Sequence, residues 1–100
     1  EEPFGPLVPI LTFKTFDEVI ERANDNDLGL CSYLYTNSMD KAHIGSEKLE
    51  SGCVAVNTGV VAIAEAPFGG IKQTGYGREG GSGAIKDYLN VKYTHMGLKI

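Results

Sequence analysis

The sequence predicts an α/β fold built on a β-α-β-α-β unit with a parallel sheet. Three observations predict it. Three short runs rich in apolar, β-branched and aromatic residues occur in the first half, at residues 7–13, 30–36 and 53–57. The two intervals between them carry helix start signals, and the connections are short. Strands alternating with helices argue for parallel pairing through right-handed crossovers. Near-continuous apolar strands fit that pairing, because parallel strands are usually covered on both faces.

Residues 7–13 read L-V-P-I-L-T-F, a strand-like run. Pro9 removes one ladder donor, which suits an edge or a bulge. Thr15-Phe16-Asp17-Glu18 is a capping-box pattern: Thr15 caps the helix and Glu18 reaches back. Phe16, Val19, Ile20 and Ala23 then form one apolar stripe. Asp17 and Glu18 lie in the first turn, where the helix dipole favours negative charge. Asn24 to Asp27, followed by Gly29, ends the helix. Residues 30–36, with Tyr33, Leu34 and Tyr35, read as the second strand. Ser38 caps a second helix expected to run to about Ser51 and to stop at Gly52. Its inward face is thin, made of Ala42, Gly45, Ser46 and Leu49. Residues 53–57 (C-V-A-V-N) form the third strand.

Beyond Asn57 the texture changes. Residues 58–66 are small and apolar. Residues 68–83 hold seven of the 13 glycines, too many for a regular element, and read as a loop. Residues 82–90 predict a short helix carrying Ile85, Tyr88 and Leu89. Residues 91–96 predict a last strand, in which Val91 and Tyr93 alternate with Lys92 and Thr94. Such a strand at a chain end has an unpaired edge, which seeks a partner. There is no internal repeat.

A chain of 100 residues is one domain at most. Its 42% hydrophobic and 22% charged residues are ordinary globular usage and oppose disorder. A net charge of −4 opposes a nucleic-acid or anionic-membrane surface, both of which need a basic footprint. Two cysteines without a CxxC exclude a disulfide framework and a local zinc knuckle. No apolar run approaches the roughly 18 residues of a membrane span. No signal peptide is recognisable, so the expected location is cytoplasmic. The opening Glu1-Glu2-Pro3, without an initiator Met, suggests a piece of something longer.

Gly75-Tyr76-Gly77-Arg78-Glu79-Gly80 spells GxGxxG. A dinucleotide fingerprint needs a strand before it and an acidic residue about 20 positions later. Here Gly69-Gly70-Ile71-Lys72-Gln73 precedes it and Lys99-Ile100 stand where the acid belongs, so a structural glycine loop is the reading. Cys31 and Cys53 lie in predicted strands and read as core, since a catalytic thiol needs exposure and an electropositive neighbour. His43 and His95 stand apart with no carboxylate or Cys at ligand spacing, so no metal site is expected. Glu1-Glu2-Pro3-Phe4-Gly5-Pro6 is the most specific local string. A carboxylate there can grip two vicinal hydroxyls, as on a ribose, and the aromatic ring can lie against a flat heterocycle. A polar turn leading into a strand is the plainer alternative. Pro67-Phe68-Gly69-Gly70 is a tight turn around an aromatic, either packed in the loop or forming a pocket wall.

Together these strings resemble the C-terminal part of the NAD(P)-dependent aldehyde dehydrogenases. Glu1 to Pro6 is similar to that family's E-E-x-F-G-P. Pro67-Phe68-Gly69-Gly70 with Lys72, Gly75 and Gly77-Arg78-Glu79 is similar to its P-F-G-G-x-K-x-S-G-x-G-R-E, with Thr74 where Ser is common. Val56-Asn57, and Asp87-Tyr88-Leu89 with Lys92, fit in order and spacing. Asn57-Thr58-Gly59 and the ending from Lys92-Tyr93 to Gly97-Leu98 most resemble the succinate-semialdehyde dehydrogenase branch.

The resemblance implies an oxidoreductase that converts a semialdehyde or related aldehyde to the acid with reduction of NAD or NADP. It implies a covalent mechanism, in which a cysteine thiolate attacks the aldehyde and a glutamate-activated water releases the acid. The motifs carrying that Cys and Glu are absent here, so no catalytic residue is assigned and the chain alone is expected to be inactive. The resemblance implies that Glu2 binds the nicotinamide-side ribose, that Phe4 packs near the nicotinamide, and that Phe68 lines the aldehyde channel. Ala62 stands where the branch usually has a substrate-binding Ser, a departure that leaves another small aliphatic aldehyde open. Residues 1–90 are expected to end the catalytic domain. Residues 91–100 are expected to form an oligomerisation strand and tail, the strand at 91–96 pairing with a neighbouring subunit. The partners implied are an aldehyde, the rest of the parent chain and further copies of it. A free-standing binding module sharing the pattern is the rival class; an upstream nucleophile motif in the same reading frame decides against it.

Overall fold

The computed structural model describes residues 3–99. Glu1, Glu2 and Ile100 lie outside the described residues, and with them the Glu2 assignment. The elements are α1 (Phe16–Asn24), β1 (Leu28–Gly29), β2 (Cys31–Leu34), α2 (Met39–Lys48), β3 (Cys53–Val56), β4 (Ile71–Lys72) and a 3-10 turn at Ala84–Tyr88.

Helix α1 starts where the capping pattern places it. Thr15 has extended backbone and its Oγ1 accepts the Glu18 N–H at 3.2 Å. Glu18 reaches one residue past the cap and accepts the Lys14 N–H at 2.8 Å. That bond, helped by Arg22 at 3.3 Å, outweighs partial desolvation and holds the Glu18 carboxyl below its ordinary range. The helix buries Ile20 and ends in an Asx turn. Asn26 accepts the Leu28 N–H and donates to the Ala23 carbonyl, both at 2.8 Å.

Ser38 caps α2 as expected, accepting the Lys41 N–H at 3.3 Å. The helix stops at Lys48, short of the expected Ser51. A tertiary contact ends it: the Asn24 carboxamide donates to the Lys48 carbonyl at 2.8 Å and accepts the Glu50 N–H at 2.9 Å. The thin face of α2 is its packing face. Gly45 is buried, and a Cβ there would collide with Leu34 and touch the Phe16 ring at 3.4 Å. Only a small residue lets α2 sit on both.

β2 and β3 pair in parallel with Cys31 opposite Cys53, Ser32 opposite Val54, Tyr33 opposite Ala55 and Leu34 opposite Val56. The parallel expectation therefore holds for two of the three predicted strands. A second small sheet is antiparallel, pairing Leu28 with Lys72 and Gly29 with Ile71 across β1 and β4. It was not anticipated, because a two-residue strand leaves no periodic signal.

Residues 7–13 form no strand, which corrects the β-α-β-α-β expectation to α-β-α-β for this chain. Leu7, Val8, Ile10 and Leu11 are exposed. An apolar run becomes a strand only against a partner ladder, and no strand of residues 3–99 provides one. Residues 91–96 likewise form no ladder here, and the short helix expected over 82–90 shrinks to the 3-10 turn. Among the described residues only Ile20 and Ala55 are buried hydrophobics. The radius of gyration is 19.4 Å, against about 13 Å for a compact 100-residue domain.

Candidate functional site: the glycine loop and its groove

The segment from Phe68 to Gly81 folds back over the start of β3. Phe68 and Glu79 exchange backbone hydrogen bonds, both 2.7 Å, closing the loop. Gly52 is where loop and sheet meet: a Cβ there would strike the Gly69 carbonyl, and it would lie 2.9 Å from Gly70 Cα. Gly52 therefore serves close approach rather than helix termination. Gly80 and Gly81 adopt φ of 67° and 65°, a left-handed turn that needs glycine.

Polar clamps hold the loop. The Arg78 guanidinium donates to the carbonyls of Gly70 at 2.8 Å and Gly77 at 2.7 Å. Asp87, in the 3-10 turn, accepts the Arg78 N–H at 3.4 Å. Lys72 Nζ donates to the Asn24 and Asn26 carbonyls at 2.9 and 3.0 Å and pairs with Glu50 at 2.6 Å. Thr74 Oγ1 accepts the Gly29 N–H at 2.8 Å. At the end of β3, Asn57 takes a left-handed φ of 56°, and its carboxamide bonds both backbone groups of Thr36 at 2.9 Å.

These clamps shape a groove of about 360 Å³ whose walls include Phe68, Leu30, Tyr76, Tyr88, Arg78 and Asp87. It is aromatic on its walls, with its one arginine already engaged by backbone carbonyls. Phe68 is half-buried and lines this groove. Phe4 and Ala62 do not line this groove. Phe4 is 94% exposed beside the turn in which Leu7 N–H bonds the Gly5 carbonyl at 2.8 Å. Ala62 is exposed on residues 60–64, which are tied to the loop through Gly81 N–H and the Ala64 carbonyl at 2.9 Å. The structure therefore does not bring the three described site residues into one pocket. The exposed ring of Phe4 has a face free to stack on a flat cofactor.

Sequence reasoning named Lys72, Arg78, Asn57 and Asp87 as motif residues without roles; here each fastens backbone. No group of three His, Cys, Asp or Glu able to hold a metal occurs among the described residues. His43 faces Glu47 at 3.6 Å and His95 Nδ1 lies 3.3 Å from the Tyr93 hydroxyl, both exposed. No helix of the described residues is long and apolar enough to cross a membrane.

The profile of the aldehyde dehydrogenase family matches residues 1–94. The 3-sulfolactaldehyde dehydrogenase of Pseudomonas putida is 50% identical over 97% of this chain and 20% of its own length. The NADP+ succinate-semialdehyde dehydrogenase of Escherichia coli K12 is 47% identical over 98% of this chain and 20% of its own. The glutarate-semialdehyde dehydrogenase of P. putida is 50% identical over 93% of this chain and 19% of its own. Among solved structures, an aldehyde dehydrogenase from Brucella melitensis superposes with a TM-score of 0.88 at 50% identity, covering 94% of this chain and 20% of that one. An NAD+ complex of a Bacillus cereus aldehyde dehydrogenase superposes at 0.85 with 45% identity, covering 89% and 18%. The chain spans about a fifth of the length of the curated relatives it matches. With matching sequence and matching backbone along nearly all its residues, the chain belongs to the aldehyde dehydrogenase family.

Proposed function

We propose that this chain is the C-terminal segment of an NAD(P)-dependent aldehyde dehydrogenase that oxidises a short aldehyde bearing an anionic far end. The observation that supports the substrate class most is the identity to enzymes named for sulfolactaldehyde, succinate semialdehyde and glutarate semialdehyde. Those three aldehydes differ in length and acid type but share a negative group away from the reacting carbon. The exposed apolar flanks support the segment reading, because such surface on a working protein needs a cover.

In this reading, residues 1–90 complete the catalytic domain and residues 91–100 form the oligomerisation strand and tail. Glu2 grips two vicinal ribose hydroxyls with charge-assisted hydrogen bonds, and Phe4 offers a ring face to the nicotinamide. Bound NAD(P)+ supplies the hydride acceptor. Phe68 provides an apolar wall for the aldehyde, and Ala62 leaves the substrate's acid group one hydroxyl short of the pattern usual in the succinate-semialdehyde branch. Neither Cys31 nor Cys53 serves as the nucleophile, which the rest of the parent polypeptide contributes.

The test uses the full-length polypeptide and follows NAD(P)H formation. Succinate semialdehyde and glutarate semialdehyde are expected to show kcat/KM at least about tenfold above neutral butanal, as a desolvated charge-assisted contact of about 1.4 kcal/mol or more requires. Equal efficiency with butanal contradicts the anionic-substrate reading. Glu2→Ala is expected to weaken cofactor use by about tenfold or more while leaving the fold intact. Unchanged turnover and cofactor affinity in that variant refute the Glu2 assignment.

A further inference from the structure

The β2–β3 ladder places Cys31 directly opposite Cys53, and both thiols are free. Partners in register on neighbouring parallel strands point their side chains to the same face. Strands lie about 4.8 Å apart, inside the span of roughly 4.4–6.8 Å that a disulfide bridges between Cα atoms. Both residues are half-buried. Cys31 also lines an open groove of about 560 Å³ with Ser32, Ser51 and Thr74, which admits a small reagent. Burial first, and then Cys53 beside it, push the Cys31 thiol up, which favours its protonated form. The reaction proposed above uses neither sulfur.

We propose that Cys31 and Cys53 are a modification site, a dithiol pair that hydrogen peroxide or a similar peroxide closes reversibly into a disulfide between β2 and β3. One sulfur, as thiolate, attacks a peroxide oxygen. The O–O bond breaks, a sulfenic acid forms, and the departing hydroxide takes a proton to become water. The second sulfur attacks the sulfenic sulfur, the S–S bond forms, and the S–O bond breaks to release a second water. Two thiols lose two hydrogens and two electrons, and the peroxide is reduced to two waters. The bridge has a local consequence. Cys53 Sγ now donates to the Gly69 carbonyl at 3.8 Å, next to Phe68, and a disulfide has no proton to donate. Oxidation therefore removes one tie between the sheet and the loop carrying the groove wall.

This inference does not rest on the proposed reaction, and its test reads covalent structure rather than activity. The full-length polypeptide is treated with hydrogen peroxide, alkylated, and digested without reduction for mass spectrometry. The expected result is a cross-linked pair of peptides carrying Cys31 and Cys53, two hydrogens lighter than their sum and separated by dithiothreitol. In Cys31→Ala the cross-link is expected to vanish, with Cys53 trapped by dimedone as the sulfenic acid. Recovery of both cysteines only as separate alkylated or sulfinic peptides, or a bridge from either to a different cysteine, overturns the proposal.

Discussion

Residues 15–57 and residues 7–13 both carry β-branched and aromatic side chains in strand-like runs, yet they end in opposite states. In the first stretch α1, α2, β2 and β3 cover one another: Phe16, Leu34 and Gly45 meet at one point, and the β2–β3 ladder is complete over four residue pairs. In the second, Leu7, Val8, Ile10 and Leu11 lie open, with no ladder. The difference lies in where the partner is. A helix makes its own hydrogen bonds and needs only a surface, whereas a strand needs another strand. The stretch that contains its partners is folded, and the stretch that does not forms no ladder.

The largest expected effect falls where the folded region meets the glycine loop. Gly52→Ala puts a methyl against the Gly69 carbonyl and Gly70 Cα, all backbone that cannot rotate away. A loss of about 3 kcal/mol is expected from the urea unfolding midpoint of the full-length polypeptide. Gly83→Ala, at an ordinary φ of −84° and with nothing within 4 Å, is expected to change it by less than about 0.5 kcal/mol. Equal effects would break the contrast between clamped and open regions.

What was legible in the sequence follows the same line. Thr15 and Ser38 announced the two helix starts because capping is a local bond between neighbours in sequence. The C-terminus of α2 was misplaced because Asn24, far away in sequence, ends it. The Phe68 loop was legible as a loop from its glycines, but the fastenings by Lys72 and Arg78 were not, since each reaches carbonyls that only the fold brings near. Cys31 and Cys53 each read as core residues, and their pairing is a fact of register that no linear pattern displays.

The next effect in size concerns the Lys72 fastening. Lys72→Met keeps the length of the stem and removes the charge that bonds two carbonyls and Glu50. A loss of about 2 kcal/mol is expected in the same unfolding measurement. No loss would mean that the loop is held by packing alone. Smaller again, Ala62→Ser restores a hydroxyl and is expected to lower KM for succinate semialdehyde about fivefold, as a hydrogen bond of about 1 kcal/mol gives. An unchanged KM places the substrate's acid group elsewhere.

The smallest effect is one of pH. The lowered carboxyl of Glu18 binds its proton less readily in the folded chain than in the unfolded one. Its contribution is therefore present above the ordinary value of 4.5 and is lost as pH falls through the lower, folded-state value. The Lys14 N–H, which Glu18 accepts, is expected to lose protection, relative to its intrinsic exchange rate, as pH falls below the ordinary carboxyl value of 4.5, with Glu18→Gln removing that pH dependence. A flat profile in the unsubstituted chain would detach Glu18 from the helix start.

The central claim is that the open flanks are strands waiting for the rest of an aldehyde dehydrogenase. Amide hydrogen exchange of residues 7–13 and 91–96, compared between this 100-residue chain and the full-length polypeptide, tests it most directly. The account predicts fast exchange of both segments in the short chain and strong protection of both in the full-length polypeptide, where ladders form. Fast exchange in both would contradict it, because the apolar flanks would then be uncovered in the whole protein as well.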